Sequence, residues 1–144
     1  MSRRGVFEFF LFFAGKFFLQ REYAYYVKGG KHTLKIATSL RKGVLIVRVE
    51  GELDMHVADE FRNTVDGALD NNGLKNILIN LKGVTFIDSS GLGVILGRYK
   101  RISLLGGKLC AAHIQPQVAR IFELSGLLKI IRIYNSEAEA LEDL

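Results

Sequence analysis

Cysteine and proline are almost missing from this chain of 144 residues: Cys110 and Pro116 stand alone. One cysteine excludes a disulfide framework and any multi-cysteine metal centre. One proline excludes a Pro-rich linker protein. Histidine is scarce too, and His32, His56 and His113 share no ligand spacing, so no metal site is expected. No run of roughly 18 apolar residues is free of charge, which removes a spanning helix. What is present is a 49% hydrophobic, 24% charged chain, enough for one buried core and too apolar for disorder. A cytoplasmic globular domain without cofactor is the expectation.

The charge is unevenly placed. Residues 1–43 hold nine basic and two acidic residues, a net of +7, whereas residues 44–144 hold 11 basic and 13 acidic, a net of −2. The basicity of the whole chain therefore comes from one end, and direct nucleic-acid binding by the globular part is not expected. The same end holds seven of the ten phenylalanines and three of the five tyrosines, all before residue 27. This break separates an aromatic, basic extension, residues 1–33, from a domain spanning 34–144. Three readings of the extension stay open: a segment without function, a basic aromatic helix lying on a membrane through residues 1–28, or a signal peptide, against which Glu8 and Lys16 interrupt the apolar run. Lys28-Gly29-Gly30-Lys31 is also what a purine-rich ribosome-binding site would spell in translation. Leu34 follows where an alternative start codon would stand, so 1–33 is expected to be upstream sequence foreign to the native protein.

From Leu34 the chain alternates strands and helices. Leu34–Leu40 and Val44–Glu50 read as strands joined by Arg41-Lys42-Gly43. Asp54 is the expected N-cap of a helix with Val57, Phe61, Val65 and Leu69 on one face, stopped by Asn71-Asn72-Gly73. Asn76–Leu81 reads as a buried strand, with Lys82-Gly83 a turn before Val84–Ile87. A helix opens at Asp88-Ser89-Ser90 with Leu92, Ile95, Leu96, Tyr99 and Ile102 inward. Lys108–Ala112 is a strand, Pro116 opens a third helix, Ile130–Tyr134 is a last strand, and Ser136-x-x-Glu139 is a capping box for a fourth. The pattern predicts an α/β fold with helices packed on a central sheet.

Chemistry has one candidate place, Val84-Thr85-Phe86-Ile87-Asp88-Ser89-Ser90-Gly91-Leu92-Gly93. It sets two hydroxyls and a carboxylate at a helix start, which carries partial positive charge and free N–H groups. Asp and Ser there are also ordinary capping residues, and the glycines ordinary packing residues. Gly91-x-Gly93-x-x-x-Gly97 misses the dinucleotide fingerprint, no P-loop lysine is present, and Asp-Ser-Ser-Gly is not a nucleophile elbow. Catalytic residues are therefore not expected.

The pieces Gly51-Glu52-Leu53-Asp54, Phe86-Ile87-Asp88-Ser89-Ser90-Gly91-Leu92-Gly93 and Ser125-Gly126-Leu127 resemble the STAS domain of anti-sigma factor antagonists. The longer string through Arg98-Tyr99-Lys100, with Leu128-Lys129-Ile130-Ile131-Arg132, is most similar to the sporulation branch. The resemblance implies a mixed sheet of four to five strands with about four helices. It implies a binding module, not an enzyme, whose partners are an anti-sigma factor that is also a serine kinase, and a serine phosphatase. It implies phosphorylation at Ser89, with Asp54, Asp88, Ser90, Gly91, Leu92 and Gly93 meeting the partner. A stress-response antagonist and a membrane-associated relative are the alternatives.

Overall fold

Alternation in one strand explains the layering. In Val44–Val49 the odd residues Leu45, Val47 and Val49 join one buried cluster, while Val44 and Ile46 join another on the opposite face. A strand of β-branched residues buried on both faces demands cover on both sides. In the computed structural model, which describes the backbone of residues 4–12, 19–29 and 32–144 and the side chains of 22–27 and 33–144, that cover is three helices on one face and one on the other.

The described elements run β1 (Arg4–Phe12), β2 (Leu19–Gly29), β3 (His32–Arg41), β4 (Val44–Leu53), α1 (Ala58–Asn72), β5 (Ile77–Ile87), α2 (Ser89–Leu104), β6 (Leu109–Ala112), α3 (Pro116–Ser125), a 3-10 turn (Leu127–Lys129), β7 (Ile133–Tyr134) and α4 (Glu137–Asp143). The strands form one sheet in sequence order. β1 to β4 pair antiparallel, and β4, β5, β6 and β7 pair parallel. Phe61, Val65, Ile95, Ile102, Val118 and Phe122 bring α1, α2 and α3 onto the larger core, and Ala140 and Leu141 bring α4 onto the smaller.

Several expectations are corrected. The sheet has seven strands rather than four to five, because the segment before residue 34 adds β1 and β2 to the edge of β3. That described backbone is extended, not an interfacial helix. Ala24 and Val27 of β2 are buried, and Glu22 meets Arg48 of β4 at 2.8 Å. Lys82-Gly83 is no turn. β5 runs unbroken through it, and two register shifts against β4 absorb the extra residues as bulges. β7 keeps only Ile133–Tyr134 because Leu127–Lys129 winds into the 3-10 turn.

The element ends follow local chemistry. Gly73 and Gly126 take the left-handed conformation that closes α1 and α3. Ser136 Oγ accepts the Glu139 N–H at 3.1 Å, opening α4 as the spacing predicts. Glu137, next in line, anchors α4 across the sheet: Arg48 donates to both its oxygens at 2.9 and 2.8 Å and Asn80 donates at 2.7 Å.

Candidate functional site

Leu53 and Ile87 pair side by side where β4 and β5 end, so the two turns that follow lie at the same end of the sheet. Chain reversals beyond the carboxyl ends of parallel strands are where α/β sheets present their sites.

Asp88 builds this one. It has an extended backbone, and its Oδ1 accepts the Gly91 N–H at 2.9 Å, capping α2. Its Oδ2 accepts the Met55 N–H from the neighbouring turn at 2.9 Å. One carboxylate thus ties both turns together. Asp54 does not cap α1, contrary to expectation; the helix begins at Ala58. Asp54 is 9% exposed, its Oδ1 accepts the His56 N–H at 2.9 Å, and its carbonyl accepts the Val57 and Ala58 N–H groups. The side chain closes an Asx turn that sets the level at which α1 starts.

Ser89, the first residue of α2, is exposed and its hydroxyl has no hydrogen-bond partner among the described residues. Both Asp88 oxygens are taken by backbone N–H groups, so the carboxylate is not directed at that hydroxyl as a base. The arrangement presents a hydroxyl; it does not activate one. The helix start beside it tolerates added negative charge.

The other predicted residues divide. Ser90 is half-buried and, with Met55, Asp59, Arg62, Gly93 and Gly97, lines an open groove of about 360 Å³ between α1 and α2. Gly93 has open space where a Cβ would stand, so no contact within the fold calls for a glycine there. Gly91 differs. A Cβ there would overlap the Leu53 carbonyl oxygen and Ile87 Cγ1, so its lack of a side chain lets α2 seat against the ends of both strands. Leu92 is partly covered by the main core.

Two residues escape sequence reasoning. Met55 is 68% exposed, and its only signal was an apolar residue between Asp54 and His56 in a turn. Arg98 is buried at the floor of the groove, its Nε 3.0 Å from Asp66. Burial pushes its pKa down, Asp66 opposes this, and Arg62 and Arg101 add to the fall. Elsewhere, burial raises the Cys110 thiol to about 11, with Asp143 adding to it, which leaves it a small hydrophobe rather than a nucleophile. No group of His, Cys, Asp and Glu that would hold a metal occurs among the described residues, and no described helix is long and apolar enough to cross a membrane.

Known proteins are similar to this chain in sequence and fold. The STAS domain matches residues 35–140. The anti-sigma F factor antagonist of Paenibacillus polymyxa is 46% identical over 111 residues, covering 77% of this chain and 95% of the relative. The anti-sigma-B factor antagonist of Staphylococcus aureus is 28% identical over 100 residues, 69% and 92% of the two chains. The solved structure of SpoIIAA from Bacillus in its phosphorylated form superposes with a TM-score of 0.61 at 26% identity, over 75% of this chain and 97% of that one.

Proposed function

The chain belongs to the STAS domain family, and we propose that within it this protein is an anti-sigma factor antagonist of the sigma F type. Unphosphorylated, it binds an anti-sigma factor that is also a serine kinase and so frees the sigma factor. The kinase modifies Ser89 and ends the complex; a serine phosphatase restores it. The protein is the substrate of this chemistry and not itself an enzyme. The switch resides in residues 34–144, and β1 and β2 add strands at the far edge of the sheet. No direct nucleic-acid contact is part of this cycle.

One observation carries the reading: Ser89 offers an exposed hydroxyl, unbonded among the described residues, on a turn that the Asp88 carboxylate caps and ties to the neighbouring turn at Met55. Phosphate adds about −1.5 to −2 charges there. Within the fold it gains up to roughly 1 kcal/mol from the helix N-terminus. In a docked interface it must be desolvated beside Asp88 and Asp54, and a loss of ~3–4 kcal/mol weakens binding by two to three decades. The fold survives while the complex fails. Met55, Ser90 and Gly93 form the surface read around it. A second reading, an antagonist in a stress-response module, is favoured by the similarity to the Staphylococcus aureus anti-sigma-B factor antagonist.

Incubation with the purified cognate kinase and labelled ATP, followed by phosphopeptide mapping, tests the assignment. The label is expected on Ser89 and absent from Ser89→Ala. Label on Ser90, or on Ser39, which is buried and accepts from Arg48 Nη1 at 3.2 Å, overturns it.

A further inference from the structure

The end of the sheet opposite Ser89 has a character of its own. Because β4 to β7 are parallel, the connections that precede them all emerge together there: 42–43, 73–76, 105–108 and 126–132. They carry Lys42, Lys75, Lys108, Lys129 and Arg132 and no acidic residue, and Arg41 ends β3 beside them. The acidic groups nearby sit in the last helical turns: Asp70, Glu123, Glu142 and Asp143. Of these, Asp70 is paired with Arg101, Glu123 with Arg120 at 3.0 Å, and Asp143 with Arg132 at 3.5 Å. No ion pair among the described residues reaches the four lysines.

Large apolar side chains protrude among these cations. Leu104 is 90% exposed, Leu124 73% and Leu105 58%, and Leu128 and Ile130 are also exposed. Ser103, Gly107, Lys108, Ile130 and Arg132 line one shallow hollow with Asp143, the partner of Arg132, which brings the 105–108 and 126–132 connections side by side. Solvated leucines flanked by lysines on a single end are not what a freely soluble surface needs.

We propose that this end is a docking face for an anionic lipid surface, with the leucines and Ile130 entering the headgroup layer and the lysines meeting lipid phosphate. The charge decides among occupants. A second copy would set the same row of cations against itself, whereas a membrane of negative surface potential complements it. The leucines stand outward on the last turns of α2 and α3 and on the connections that follow them instead of lining a groove, which suits a fluid apolar medium. Docked this way, the Ser89 end faces away from the membrane and stays accessible to its partner. The inference stands independently of the function proposed for Ser89.

Co-sedimentation of the full chain with vesicles of phosphatidylglycerol and phosphatidylethanolamine, against vesicles of phosphatidylcholine, is the test. Binding is expected to the anionic vesicles alone and to weaken with added salt. The Leu104→Asp/Leu105→Asp variant should bind at least about tenfold more weakly. Lys108→Gln/Lys129→Gln should lose about fivefold for each cation removed. All four side chains are exposed, so melting curves should match the wild type. The proposal is overturned if the wild type does not bind, or if either variant binds as well as the wild type, which would place attachment in residues 1–28. Self-association without lipid that the leucine substitutions abolish would equally overturn it, by making the occupant a second copy.

Discussion

At the carboxyl ends of β4 and β5 the connections are short and their carboxylates are spent on backbone N–H groups; at the amino ends of the same strands the connections carry lysines that pair with no carboxylate among the described residues. The first end is held rigid. Asp88 spans two turns, Asp54 closes one of them, and Gly91 lets α2 press on the strand ends. The second end is tied as well, Asn76 Oδ1 accepting the Lys108 N–H at 2.9 Å and Gly107 lying against the Lys75 carbonyl, but it differs in leaving cations and leucines exposed. On the proposed function a recognition turn must keep one geometry through cycles of modification, and the bonds of Asp88 and Asp54 supply that. Charge and apolar surface left unpaired mark the end whose partner lies outside the molecule.

The contrast is broken most severely at Gly91. Gly91→Ala should destabilise the domain by about 3 kcal/mol through overlap with the Leu53 carbonyl. Gly93→Ala, two residues on in open space, should leave the melting temperature unchanged or slightly raised. Thermal melts of the pair decide this. An unaltered Gly91→Ala melt would mean the turn is looser than described, and partner binding weakened only in Gly93→Ala would assign that glycine to the interface.

Asp88→Ala comes next. It removes the α2 cap and the bond to Met55, costing about 2 kcal/mol. Amide hydrogen exchange should accelerate at Met55 and Gly91 together, because one carboxylate protects both. Acceleration at Gly91 alone would show that the two turns are not coupled.

Glu137 supplies a pH test away from Ser89. Burial pushes its carboxyl up, but hydrogen bonds from Arg48 and Asn80, with the charge of Arg48, prevail and hold it below the usual range. A carboxylate lowered in the folded state adds stability above its unfolded pKa, and that stability is lost as pH falls through the lowered value. Glu137→Gln should cost about 1 kcal/mol near neutrality, given a partly exposed pair. It should flatten the acid limb of the stability curve. An unchanged limb would mean that α4 is anchored by packing alone.

The smallest effect is expected from Ser89→Asp. An aspartate carries less charge than phosphoserine, so partner binding should fall only partly while the fold is retained. Added salt should recover some of it if repulsion dominates. Backbone chemical shifts in the isolated phosphorylated domain should move only around Asp54 and Ser89. Changes reaching Val118–Leu124 would replace local charge by a conformational switch.

How far the residues alone led can be seen element by element. Helix faces such as Phe61, Val65 and Leu69 were legible because a 3.6-residue repeat is a local property, and the same holds for Gly73, Asp88 and Ser136 at element ends. Lys82-Gly83 misled because a polar residue before glycine reads as a turn, whereas pairing with β4 on one side keeps that backbone extended through two bulges. Asp54 misled for a related reason: Asp is a cap wherever a helix follows, and only the geometry at the end of β4 sets the helix start four residues later. The segment before residue 34 looked separate by composition, yet strand pairing with β3 is made by backbone groups, to which composition is blind.

From Leu34 onward the sequence by itself determined the order of strands and helices, which helix residues face inward, and that a serine would stand at the start of α2, since all of these follow from spacing and capping within a few residues. Tertiary structure alone decided that Asp88 reaches Met55, 33 residues away, that Arg48 reaches Glu137, 89 residues away, and that Gly91 lies under Leu53. It also decided that five separate cations and five exposed apolar side chains gather at one end. Each of these depends on strand direction and register. Register is chosen by the whole sheet at once, by which alignment buries both faces and satisfies every backbone group, and no short stretch of sequence contains that choice.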